Sequence, residues 1–216
     1  MLQQKKSERT RAQILSAALR LFSKQGYRGT SMRDIAEAAR VSTGNVYHQF
    51  PDKETILRTL LDRYWEEVRS PEYPFNRALF SGAFPDDMVA LARAAQETIK
   101  KFRPYIALIY VDVVEFEGSH IRRFYEEMAS RFQAFLDARP DLTAKLRPGV
   151  SPLSAVMIAS RFLLYYYSVE ILFNVPNHFG KSNDAVVNDI ADIFQLGMLS
   201  AVSGAPSAGP PDPNAA

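Results

Sequence analysis

Residues 26–53 read GYRGTSMRDIAEAARVSTGNVYHQFPDK, and this stretch decides the fold. Gly26 stands at the end of an apolar-periodic segment, where a left-handed backbone costs glycine little. Thr30 and Ser31 follow as caps, and Met32–Ala39 places Ile35, Ala36 and Ala39 on one side of a short helix. The periodicity breaks at Arg40 and Val41. Ser42 caps a third helix over Thr43–Gln49, Pro51 stops it, and Asp52 caps a fourth beginning at Lys53. Helices this short are not stable alone, so they must lean on apolar faces of their neighbours.

Upstream, Ile14, Leu15, Ala18, Leu21 and Phe22 mark one face of a first helix. Arg9 and Arg11 lie ahead of it and are read as a mobile charged end rather than a minor-groove arm. The layout is a helix-turn-helix. Its inward set is Ile35, Ala36, Ala39, Val41, Val46 and Phe50, which leaves Thr43, Gly44, Asn45, Tyr47 and His48 facing outward on the third helix. Small side chains let a helix N-terminus approach the major groove, Asn pairs with an adenine edge, and Thr and Tyr bond phosphate oxygens. A purely structural bundle has no reason for that selection.

From Ile14 to Leu57 the chain resembles the TetR family of bacterial transcriptional regulators, through G-Y-x-x-T-S followed by D-I-A-x-A-A-x-V-S-x-G-x-V-Y-x-x-F-x-x-K. Arg40 departs from the pattern, since the family often has glycine in that turn. The resemblance implies a three-helix, tetracycline-repressor-like DNA-binding domain. Thr43 and Asn45, flanking Gly44, would then meet base edges, and Tyr47 and His48 the backbone or a thymine methyl. Lys53 would hold phosphate at the start of the fourth helix, with Thr30, Ser31 and Arg33 gripping the neighbouring strand.

The net charge of +2 argues weakly against a nucleic-acid partner, but its distribution reverses that argument. Residues 1–63 carry 12 Lys plus Arg against 6 Asp plus Glu, whereas the remainder carries 14 against 18. A basic unit suits a phosphate-rich partner, and an acidic remainder discourages non-specific wrapping of DNA. The absence of cysteine removes disulfides, thiolate metal sites and thiol nucleophiles. The charged N-terminus lacks the form of a signal peptide, and the apolar stretch 153–175 is interrupted by Arg161 and Glu170 on opposite helical faces. A cytoplasmic protein without a membrane span is expected.

Beyond residue 63 the apolar spacing stays helical, so the chain is expected to be all-α: a DNA-binding domain over 1–63, a second helical domain over 64–202 and a disordered tail over 203–216. Leu57, Leu60, Leu61, Tyr64, Trp65 and Val68 carry the fourth helix across the boundary. Pro71, Pro74, Gly82 and Pro85 mark a loop-rich connection, and further helices are expected at 86–102, 104–116, 121–138, 152–174 and 183–199. By the resemblance, the second domain binds a small effector and forms a homodimer through its last two long helices, as two operator half-sites on double-stranded DNA require. Its aromatic residues suit a hydrophobic effector, with Phe102, Tyr105, Tyr110, Tyr166 and Phe173 as expected pocket lining. Asp112, Glu115 and Arg161 are read as salt-bridge formers rather than ligand contacts.

The rival reading is an enzyme. Glu117 and His120 form an E-x-x-H, the spacing of di-iron four-helix proteins. That site requires a second E-x-x-H, yet the other histidines are His48, inside the helix-turn-helix, and His178, beside Pro176 and Gly180. Gly118 and Ser119 also place Glu117 and His120 across a helix break. No nucleophile triad, phosphate loop or dinucleotide fingerprint is present, so no metal or cofactor is expected.

Overall fold

The computed structural model describes residues 2–199. The expected tail over 203–216 lies outside the described residues. Helices follow in the order α1 (Leu2–Gln25), α2 (Met32–Ala39), α3 (Thr43–Gln49), α4 (Lys53–Arg69), α5 (Pro74–Phe80), α6 (Met88–Phe116), α7 (Ser119–Asp137), α8 (Pro140–Thr143), α9 (Pro152–Tyr167) and α10 (Asn183–Met198). A π-helical turn, Ser168–Leu172, extends α9. No strand forms among the described residues, so the all-α expectation holds.

The boundaries of α2 to α4 are set by local chemistry. Ser31 accepts from the Asp34 amide while the Asp34 carboxylate accepts from the Ser31 amide, closing a capping box. Arg40 takes the left-handed conformation at φ 58°, a geometry that costs glycine least. Ser42 and Asp52 cap α3 and α4 through Asn45 and Thr55. Ile14, Ala18, Phe22, Ile35, Val46, Phe50, Ile56, Leu57 and Leu60 then close one core beneath these elements.

Several expectations are corrected. α1 starts at Leu2, so Arg9 and Arg11 lie inside a helix rather than in a mobile end. Arg11 explains part of this: its Nη1 donates to the Gln49 carbonyl at 3.0 Å and its guanidinium lies 4.1 Å from the Phe50 ring centroid. The expected break before Pro104 is absent, and α6 runs through it. Proline removes one ladder hydrogen bond and costs roughly 3 kcal/mol inside a helix. Burial of Ile99, Phe102, Ile106 and Leu108 on both sides of it offsets that loss. The expected loop over 71–85 contains α5, because Pro74 sits at its first turn, where its missing N–H is harmless.

α6 is the central helix, touching α1, α4, α5, α7, α9 and α10. Pro152–Leu172 is long and apolar enough to cross a bilayer by length and composition, yet α9 packs on α6 and α7 as a core helix does. α4 is continuous across position 63, so the helix-turn-helix and the remaining helices share one rod.

Candidate nucleic-acid interface and ligand cavity

On α3, Val46 is fully buried while Thr43, Gly44, Asn45, Tyr47 and His48 are exposed. One inward valine therefore anchors a seven-residue helix whose other face is free. Gly44 has open space around it, with only the Ser42 hydroxyl as near as 4.0 Å to an added Cβ. Packing within the protein does not require its smallness.

The four flanking candidates do not share one setting. Arg33 and Ser31 are exposed, the latter engaged in its capping box. Thr30 is 1% exposed, and its hydroxyl donates to the Gly26 carbonyl at 2.9 Å, so its side chain is not on the surface. The cause is local: the turn after α1 leaves a carbonyl that the hydroxyl satisfies. Lys53 is half-buried and donates to the carbonyls of Tyr27 and Thr30 at 2.7 and 2.8 Å. Burial lowers its pKa, partly offset by Glu115 and Asp34. An ammonium has three donors, so one remains after those two bonds.

The helix-turn-helix also touches α6 through contacts that the spacing did not announce. Arg28 pairs with Glu115 at 2.6 Å, and the Tyr27 ring meets Phe116 edge-on at 5.0 Å. Phe116 in turn meets the His120 ring at 5.4 Å. Glu117 and Gly118, both left-handed, form the break between α6 and α7, with Glu117 exposed. His120 Nδ1 lies 2.5 Å from the fully buried Asp112, whose other oxygen accepts from the Ile121 amide. The E-x-x-H residues therefore do not converge; His120 pairs with a carboxylate that fastens the start of α7.

A cavity of about 570 Å³ opens between α4, α6, α7 and α9. Trp65 and Val68 reach it from α4, Tyr110 from α6, Phe124 and Tyr125 from α7, and Arg161 from α9. Of the expected lining, Tyr110 is in the wall. Phe102 is instead a core residue against Tyr64 and Tyr73, and Tyr105 stacks on Tyr64 from outside the wall. Tyr166 packs on His178 and Phe179, and Phe173 is 45% exposed beside Tyr110. Which face each ring occupies depends on how the helices cross, which aromatic content does not state. The missed lining residues Trp65 and Phe124 stack at 4.1 Å. Glu115 forms the ion pair with Arg28, whereas Arg161, read as a salt-bridge former, faces the cavity.

Comparison with known proteins adds to this geometry. Residues 14–60 match the family described as bacterial regulatory proteins, tetR family. The HTH-type transcriptional regulator HbdR of Aromatoleum sp. (strain CIB) is 48% identical over 65 residues, which span 28% of this chain and 28% of HbdR. The first curated relatives are thus matched over less than a third of their length. The HTH-type transcriptional repressor KstR2 of Mycolicibacterium smegmatis is 27% identical over 180 residues, 71% of this chain and 86% of that protein. Among solved structures, NalD, the secondary repressor of the MexAB-OprM multidrug efflux pump in Pseudomonas aeruginosa, superposes with a TM-score of 0.60. It is 23% identical and aligned over 91% of this chain and all of NalD, a likeness of fold.

Proposed function

From the premise that this chain belongs to the TetR family of transcriptional regulators, we propose that it is a cytoplasmic homodimeric repressor that leaves an inverted-repeat operator when a small hydrophobic effector fills its cavity. Residues 1–63 form the DNA-binding domain in this reading, and 64–202 the effector and dimerisation domain. The observation that carries it is α4: its first turns lie under the helix-turn-helix through Ile56, Leu57 and Leu60, and its last turns wall the cavity through Trp65 and Val68. A ligand that moves the second set of residues moves the first.

Asn45 and Thr43 read bases beside Gly44. Tyr47, His48, Ser31, Arg33 and the remaining donor of Lys53 hold the backbone. Thr30 contributes by shaping the loop that Lys53 fastens. Dimerisation uses the exposed apolar face of α9 and α10, where Ile158, Phe162, Ile193 and Leu196 are 59%, 41%, 70% and 83% exposed. Two copies then place two α3 helices about one DNA turn apart, roughly 34–36 Å.

Selection of duplexes from a random pool with the purified protein tests this reading. An enriched inverted repeat is expected, and enrichment of no sequence, or of a single asymmetric half-site, would sink it.

A further inference from the structure

The chemistry of the effector is written in the donors that the cavity wall leaves unspent, an inference that rests on the effector role proposed for this cavity. Most polar groups in the wall are engaged by the protein. Asn76 donates to the carbonyls of Val68 and Ser70, and the hydroxyls of Ser160 and Ser168 donate to those of Val156 and Leu164. The Tyr64 and Tyr73 hydroxyls share a 3.0 Å hydrogen bond.

The hydroxyls of Tyr110, Tyr125 and Tyr165 belong to side chains that are open to solvent, and two other groups stand apart. Trp65 is 5% exposed, and its buried Nε1–H has no hydrogen-bond partner among the described residues. Arg161 is the ionised side chain of a wall that holds no carboxylate, and it makes no ion pair among the described residues. Its guanidinium lies at the exposed rim, 5.7 Å from the Tyr125 ring centroid. A buried donor left unmatched costs about 1–3 kcal/mol, so the indole N–H of a wall residue calls for an acceptor. A guanidinium without an acidic neighbour favours an anion and leaves a cation with no counter-charge. The volume of about 570 Å³ lies within the roughly 300–1,000 Å³ typical of small-molecule sites.

We propose that the cavity takes an apolar monoanion: the hydrophobic body fills the interior, Arg161 pairs with the carboxylate at the rim, and the Trp65 Nε1–H donates to an uncharged oxygen carried on that body. Because Trp65 lies on α4, this bond acts directly on the helix that carries the helix-turn-helix.

Quenching of Trp65, the sole tryptophan, and calorimetry on the full chain test the assignment with laurate, dodecanol and dodecyltrimethylammonium below their micellar concentrations. Laurate is expected to bind about tenfold or more tighter than the other two. That preference is expected to vanish in Arg161→Ala and persist in Arg161→Lys. Equal binding of all three, preference for the cation, failure of laurate to bind, or a preference unchanged in Arg161→Ala overturns the anion assignment. For the buried donor, hydroxydodecanoates with the hydroxyl at successive carbons are compared by calorimetry in the wild type and Trp65→Phe, whose folding is checked by its retained affinity for laurate. A gain over laurate for one isomer that disappears in Trp65→Phe supports the donor role; no gain, or a gain that persists, overturns it. Operator release is read separately by anisotropy of labelled DNA. Laurate that binds tightly but leaves the operator complex intact would refute the effector role while the ligand class stands.

Discussion

The ammonium of Lys53 lies 4.1 Å from the centroid of the Tyr27 ring and donates a 2.7 Å hydrogen bond to the Tyr27 carbonyl. The same ring meets Phe116 at the end of α6. The first residue of α4, the loop before α2 and the last turn of α6 thus meet at one aromatic side chain. A lysine suited to phosphate by its place at a helix start is also a fastener of the helix-turn-helix.

Lys53→Ala is therefore expected to act twice. Loss of two charge-assisted bonds should destabilise the protein by about 1–3 kcal/mol, read by denaturant unfolding. Affinity for all duplexes should fall alike, with a shallower salt dependence. An unchanged salt slope with reduced stability would leave Lys53 a purely structural residue.

Asn45→Ala should behave differently, because Asn45 is exposed and its backbone, not its side chain, is capped by Ser42. Stability is expected to stay within about 0.5 kcal/mol. Discrimination at one operator base pair is expected to drop by about 1–3 kcal/mol, measured by competition with single-base variants. If specificity at every position survives, the base-reading role of Asn45 is wrong.

Phe116→Ala removes the ring that links Tyr27 to His120. The ratio of effector affinities without and with operator is expected to move towards one, since coupling requires a contact that differs between the two states. Calorimetric titration in both conditions reads it, and an unaltered ratio would exclude this contact from the coupling.

Acid should act through the caps. Hydrogen bonds from Ser31 hold the Asp34 carboxyl below the usual aspartate range, and those from Thr55 do the same for Asp52. A lowered folded-state pKa contributes stability above the unfolded value, about 3.9, which is lost as pH falls through the folded value. Asp52→Asn is expected to be less stable than the wild type at pH 7, with the gap closing as pH falls through the folded-state value of the Asp52 carboxyl. Thermal unfolding across that range checks the sign, and a gap that widened on acidification would contradict it.

Leu196→Lys places a charge on the proposed dimer face, at a side chain 83% exposed in the protomer. The folded protomer should tolerate it, with unfolding shifted by no more than about 0.5 kcal/mol. Sedimentation velocity is expected to show monomers and operator affinity is expected to collapse. A persistent dimer would move the interface elsewhere.

Legibility in the sequence follows the range of the interactions involved. Ser31, Ser42, Asp52, Gly26 and Arg40 act on backbone groups within a few residues, so their order alone located α2, α3 and the start of α4. The inward and outward sets of α3 were readable for the same reason, since one helical period separates them. Pro104 misled because a local cost was visible while the packing of α6 on the helices around it was not.

The sequence by itself determined the helix-turn-helix, its exposed Thr43, Gly44 and Asn45, and the charge contrast between its basic start and acidic remainder. Tertiary structure alone decided that Lys53 and Tyr27 form a junction with α6, and that Trp65, Phe124 and Arg161 share a cavity while Phe102 and Tyr166 do not. The physical reason is that periodicity states which residues lie on one face of a helix, whereas a cavity is the space left where four helices from distant parts of the chain fail to fill their common centre.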